Sequence, residues 1–90
     1  MITVRFTSAL KRFFPRLKEE SVRGKNLAEV LAELETRYPG LRHYLTDDQG
    51  CLREHVNIFI GQELLADRYD LSDHLKDGDE IYIMQALSGG

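Results

Sequence analysis

The chain has 90 residues, and its 12 lysines and arginines against 15 aspartates and glutamates give a net charge of -3, which argues against the concentrated basic surface that nucleic acid requires. This length makes one domain with a modest core. No apolar run approaches the roughly 20 residues that cross a bilayer, and the opening MITVRFTSALKRFF lacks the basic-then-apolar order of a signal peptide, so a cytoplasmic protein is expected.

In MITVRF, Ile2, Val4 and Phe6 alternate with Thr3, Arg5 and Thr7, the period of a half-buried strand. TSALKRFFPR follows. Pro15 cannot donate a ladder hydrogen bond, so the segment reads as a turn or irregular loop. LKEESVR is polar, but Leu17 and Val22 can anchor a second strand in a hairpin with the first. Their odd separation requires a bulge if they share a face. NLAEVLAELETRYPG is the clearest helix: Asn26 is a good N-cap, and Glu29 completes a capping-box-like pair. Leu27, Val30, Leu31, Leu34 and Tyr38 form its apolar stripe, and Glu33 and Arg37 are spaced to pair. Pro39-Gly40 ends it.

LRHYL predicts one short helical turn and TDDQG a loop. HVNIFIG predicts a strand with Val56, Ile58 and Ile60 on one face and His55, Asn57 and Phe59 on the other. Gly61-Gln62 turns the chain toward a short edge strand in ELLA. DLSDHL reads as a short helix or 3₁₀ turn capped by Asp70 or Ser72, and Asp-Gly in KDGDE as a turn. EIYIMQ is the last strand, with Ile81 and Ile83 opposite Tyr82 and Met84. The inward set Ile2, Val4, Phe6, Val56, Ile58, Ile60, Ile81 and Ile83 then packs on Leu27, Val30, Leu31 and Leu34. That is a two-layer α+β domain. A mixed sheet curled around one main helix is the β-grasp (ubiquitin-like) arrangement. It is expected over residues 1–85, with a flexible tail over 86–90.

No residue set suggests a self-sufficient active site. Cys51 is the only cysteine, so no internal disulfide and no cysteine-built metal or iron–sulfur site can form within the chain. His43, His55 and His74 lack the i, i+4 spacing of a zinc helix, and no metal or bound cofactor is expected. Cys51 and His55 are the residue types of a nucleophile pair, but no motif surrounds them, and a partly exposed free thiol is the expected state. Asp47-Asp48 and Asp77, Asp79 and Glu80 read as solvated turn residues. No phosphate-binding glycine loop is present. In LKRFFPR, Lys11, Arg12 and Arg16 flank Phe13 and Phe14. This reads as a loop whose phenylalanines tuck under the sheet edge, with contact to a protein partner as the alternative. If the isoleucines face the helix, Phe59, Tyr82 and Met84 face outward, as a docking surface or a face covered by loops.

The end of the chain is the remaining candidate. Ala86, Leu87, Ser88, Gly89 and Gly90 follow the last strand, and five extended residues reach roughly 16 Å. Glycine fits a channel that rejects any side chain and leaves the terminal carboxylate unhindered. A carboxylate is inert until activated, so a partner must supply ATP.

On ITVRF, NLAEVLAELETRYPGL, VNIFI, LKDGDEIYIMQA and the final SGG, the chain resembles the MoaD/ThiS-type ubiquitin-like sulfur-carrier family over nearly its whole length. HVNIFI and the loop before it look most like carriers dedicated to cysteine or homocysteine assembly and some molybdopterin-synthase small subunits. The resemblance implies a β-grasp protein that is not an enzyme. Gly90 would be adenylated by a ubiquitin-activating-enzyme-like adenylyltransferase, then converted to a thiocarboxylate. Gly89, Ser88, Leu87 and Ala86 would thread the tail, and Phe59, Tyr82 and Met84 would dock partners. A sulfur-accepting synthase would serve cysteine, homocysteine, molybdopterin, thiamine or related biosynthesis. The alternative is a protein modifier joined to target lysines through Gly90. A monomer that meets its partners transiently is expected, with no nucleic acid and no membrane.

Overall fold

A computed structural model describes residues 1–85. Strand β1 (Ile2–Phe6) buries Ile2, Val4 and Phe6 and turns Arg5 outward, as period-two alternation dictates. Strand β2 (Glu20–Val22) pairs with it antiparallel, Ile2 opposite Val22. The five-stranded sheet runs β2-β1-β5-β3-β4. Its middle pair, β1 with β5 (Glu80–Gln85), is parallel. β5 also pairs antiparallel with β3 (Val56–Ile60), and β3 with the short edge strand β4 (Glu63–Leu64). Helix α1 (Leu27–Arg37) places Leu27, Val30, Leu31 and Leu34 in the same core as the inward residues of β1, β3 and β5. This is the mixed sheet on one main helix expected for a β-grasp. Ile60, at the end of β3, is only half-buried.

The Asn26 side chain accepts from Glu29 N at 2.9 Å. The reciprocal bond reaches one residue further back than a capping box requires, with Glu29 Oε1 accepting from Lys25 N at 2.9 Å. The first satisfies a donor left open by the first helical turn, and the second ties the residue before the N-cap to the helix. Gly40 ends the helix at φ 96°, in the left-handed region glycine tolerates. The short helix α2 (Leu41–Leu45) follows, buried through Leu41 and Leu45. Glu35 bridges the two helices, accepting from Gly40 N and Arg42 N at 2.8 Å each. Those two bonds hold its carboxyl below the usual range. Arg37 Nη2 lies 3.7 Å from Glu33, as its spacing predicts, but Nη1 makes a closer pair, 2.6 Å to Glu20 on β2.

Three segments differ from the sequence reading. Residues Ser8–Arg12, expected as loop, form a 3₁₀ helix closed by Phe13 N donating to Leu10 O, and fully bury Leu10. The second strand begins at Glu20 rather than Leu17. Leu17 is buried ahead of the strand, in a turn where its N–H donates to Phe14 O at 2.9 Å, so it shares the core with Val22 without a bulge. DLSDHL forms neither helix nor 3₁₀ turn. The organising residue there is Asp67, not Asp70 or Ser72: its carboxylate accepts from the N–H groups of Tyr69, Asp70 and Ser72 and from the Ser72 hydroxyl. Irregular backbone continues to His74, which forms an isolated antiparallel bridge with Asn26.

Candidate functional site

β5 is central in the sheet, and the described residues end with it at Gln85. Ile81 and Ile83 face the core, while Tyr82 and Met84 face out, 38% and 36% exposed. Register sets Phe59 opposite Tyr82 and Asn57 opposite Met84. The three outward residues expected from the sequence therefore share two adjacent strands. Phe59 is half-buried and lines a shallow depression with Tyr82, Gly61 and Gln62. Arg5 and Glu80 edge it, paired at 2.7 Å, and Arg5 also holds Glu19 at 2.8 Å. The Glu19 bond and the charge of Glu80 raise the Arg5 pKa. The face is aromatic at its centre and charge-paired at its edge, the pattern of a protein-contact patch rather than a catalytic cleft.

Gln85, where the described chain ends, occupies the inward phase of β5 after Ile81 and Ile83. Its backbone N–H donates to Thr7 Oγ1 at 3.4 Å, and its side-chain Nε2 donates to the Tyr44 hydroxyl at 2.7 Å. Gln85 Oε1 is buried and has no partner among the described residues. Tyr44 in turn packs against Phe13, Phe14 and His55, at centroid distances of 5.0, 5.8 and 6.5 Å. Phe14 tucks against the core as expected, but Phe13 does not: it is 59% exposed. The sequence reading missed Tyr44 and Gln85. A signal existed for Gln85, because a polar residue in the inward phase of an apolar strand needs a partner. Arg68 was missed as well. Its guanidinium donates to Asn57 Oδ1, Arg53 O and Val56 O at 2.7 to 2.9 Å and pins the turn that feeds β3. No sequence pattern announces it.

The nucleophile pair does not form. His55 turns its ring edge toward Tyr44, and no hydrogen bond joins it to Cys51 among the described residues. Burial, followed by the charges of Asp47, Asp70 and Asp67, pushes the Cys51 thiol up, opposite to what an activated cysteine needs. Among the described residues, no group of three or more His, Cys, Asp or Glu could hold a metal. No described helix is long and apolar enough to cross a membrane. Ala86, Leu87, Ser88, Gly89 and Gly90, the expected tail, lie outside the described residues.

Comparison with known proteins places this fold among carriers. The sulfur carrier protein CysO of Mycobacterium tuberculosis is 31% identical over 91 residues, covering 99% of this chain and 98% of that protein. The crystal structure of Mycobacterium tuberculosis CysO superposes with a TM-score of 0.82 at 29% identity, over 97% of this chain and 100% of the other. The solution structure of small archaeal modifier protein 1 from Methanosarcina acetivorans gives a TM-score of 0.77 at 27% identity, over 99% and 95%. The model of the ThiS family matches residues 4–90, and the chain belongs to the ThiS family.

Proposed function

We propose that this protein is a sulfur carrier, a protein cosubstrate rather than an enzyme. The observation that carries the reading is the family match, which runs through the SGG end to Gly90. The name of the Mycobacterium relative supports it.

In this reading the Gly90 carboxylate attacks the α-phosphate of ATP bound by a ubiquitin-activating-enzyme-like partner. Pyrophosphate leaves and an acyl adenylate forms. A sulfide-level donor then displaces AMP, leaving a thiocarboxylate whose sulfur passes to a synthase. Gly89, Ser88, Leu87 and Ala86 cross the partner's cleft, and glycine at the tip admits close backbone approach. Phe59, Tyr82 and Met84 dock the partner. An aromatic-centred patch gives such a contact its area, and Tyr82 and Met84 lie on the strand that ends at Gln85. The acceptor we favour is the cysteine or homocysteine kind, one of the two that the HVNIFI segment resembles and the one that the likeness to CysO supports.

The test is activation itself. With the adenylating enzyme of the same genome, the chain should support ATP–pyrophosphate exchange, and a chain shortened by Gly90 should not. Equal exchange by both chains would remove Gly90 from the chemistry. A second reading is favoured by the likeness to a small archaeal modifier protein: Gly90 joins target lysines. The last tryptic site before the tail is Lys76, so conjugates would leave residues 77–90 on modified lysines. Finding that remnant in digests of cells under several stresses would add the modifier role.

A further inference from the structure

Charge is distributed unevenly along the chain. Residues 1–18 hold Arg5, Lys11, Arg12, Arg16 and Lys18 and no aspartate or glutamate, which leaves 7 basic against 15 acidic residues in the remainder. Of these five, the described ion pairs include only Arg5, which holds Glu19 and Glu80. Glu19 and Glu20, the next acids in sequence, are taken by Arg5 and Arg37. Among the described residues, Lys11, Arg12 and Arg16 have no carboxylate within ion-pair distance. Lys11 and Arg12 close the 3₁₀ helix directly before Phe13. Arg16 lines a groove with Phe13.

This segment also sits at the root of the tail. Phe13 stacks on Tyr44, and Tyr44 holds the Gln85 side chain. Thr7, just before the 3₁₀ helix, receives the Gln85 backbone N–H and donates its own to Ile83 O. An exposed aromatic ring flanked by cations with no ion pair among the described residues therefore adjoins the Gln85 anchor, where the described residues of an otherwise acidic molecule end. Long side chains with charged heads and apolar stems suit an interface rim around an aromatic anchor.

We propose that this surface, centred on Phe13 with Lys11, Arg12 and Arg16, is a second docking surface, and that it meets an acidic rim around the cleft of the adenylating partner. It is distinct from the Phe59–Tyr82–Met84 face and rests on the carrier reading. Its physical role is orientation. The rest of the chain repels an acidic rim, the 3₁₀ segment attracts one, and the tail root is thereby turned toward the cleft. Complementary charge of this kind acts on encounter and register.

The experiment measures ATP–pyrophosphate exchange by the adenylating enzyme of the same genome against carrier concentration, at low and high salt. All three substituted side chains are exposed, and circular dichroism checks the fold. Lys11→Glu with Arg12→Glu should raise KM for the carrier on the order of ten-fold at low salt, with kcat unchanged, and the gap should shrink as salt screens the charges. Lys11→Arg with Arg12→Lys should restore the wild-type KM. Phe13→Ala should raise KM at both salts. An unchanged KM for the reversed-charge chain, with exchange intact, would overturn the docking surface and leave the carrier reading standing. No exchange by the wild-type chain would remove both. A wild-type chain that binds a single-stranded RNA oligomer, or dimerises in sedimentation, and loses that property in the reversed-charge variant would also overturn it, by assigning the surface to another occupant.

Discussion

Asp67 shows what one side chain does in a stretch with no regular structure. Its carboxylate gathers four donors within five residues. The Ser72 hydroxyl, then the Asp70 N–H, hold its pKa down at about 2. A carboxyl depressed in the folded state stabilises fully above its unfolded value, roughly 3.9. The contribution is lost as pH falls from there toward about 2. Asp67→Asn should therefore flatten the stability–pH curve in that acid window, while lowering stability at neutral pH. Urea unfolding at a series of pH values checks both. Asp67 is two to five residues from its donors, yet DLSDHL read as a short helix or 3₁₀ turn capped by Asp70 or Ser72, because Asp and Ser serve either role. Gln85 was missed for a different reason: the strand period puts it in the inward phase, but only the fold supplies its partner Tyr44 from 41 residues away. Removing that partner with Tyr44→Phe should cost about 1 kcal/mol, and thermal unfolding should show it as a fall of several degrees for a domain of this size.

The elements read best from sequence were those whose period carried the information. Strands β1, β3 and β5 and helix α1 each repeat apolar residues at one spacing, and each packs as that spacing requires. The segments between β1 and β2 and between β4 and β5 did not read correctly. Their backbone is set by distant partners: Leu17 finds the core through a turn, and Leu71, at φ 54°, is buried with its carbonyl accepting from Ala28 N. The approach to α1 is similarly tight. A Cβ on Gly24 would lie 2.6 Å from Val30 Cγ2 and 3.0 Å from Val30 N, and Val30 is fully buried. Gly24→Ala should destabilise the fold by about 1–3 kcal/mol, the scale of core overpacking. Chemical denaturation should show a lower midpoint at unchanged slope. An unaltered midpoint would mean the 23–26 backbone relaxes without disturbing the helix.

At the scale of the whole molecule, the proposed carrier function gives the domain and its end separate tasks. Every buried apolar residue among those described lies between Ile2 and Ile83, so a chain ended after Gln85 should keep its melting temperature within about 4 °C, the effect of roughly 1 kcal/mol. It should lose all exchange activity. The candidate site was half legible: the outward placement of Phe59, Tyr82 and Met84 followed from strand period, whereas the tail expected over 86–90 lies outside the described residues. The cationic surface beside Phe13 read as a loop, with a partner contact as the alternative, and its place next to Tyr44 and Gln85 is a product of the fold. The central claim is that Gly90 carries sulfur. Its most direct test is the intact mass of the chain after incubation with the adenylating enzyme, ATP and sulfide, with that enzyme first shown active in pyrophosphate exchange. The account predicts a gain equal to one sulfur replacing one oxygen, localised to Gly90 by fragmentation and blocked by any residue added after it. An unchanged mass, or the same gain in a chain extended beyond Gly90, would contradict it.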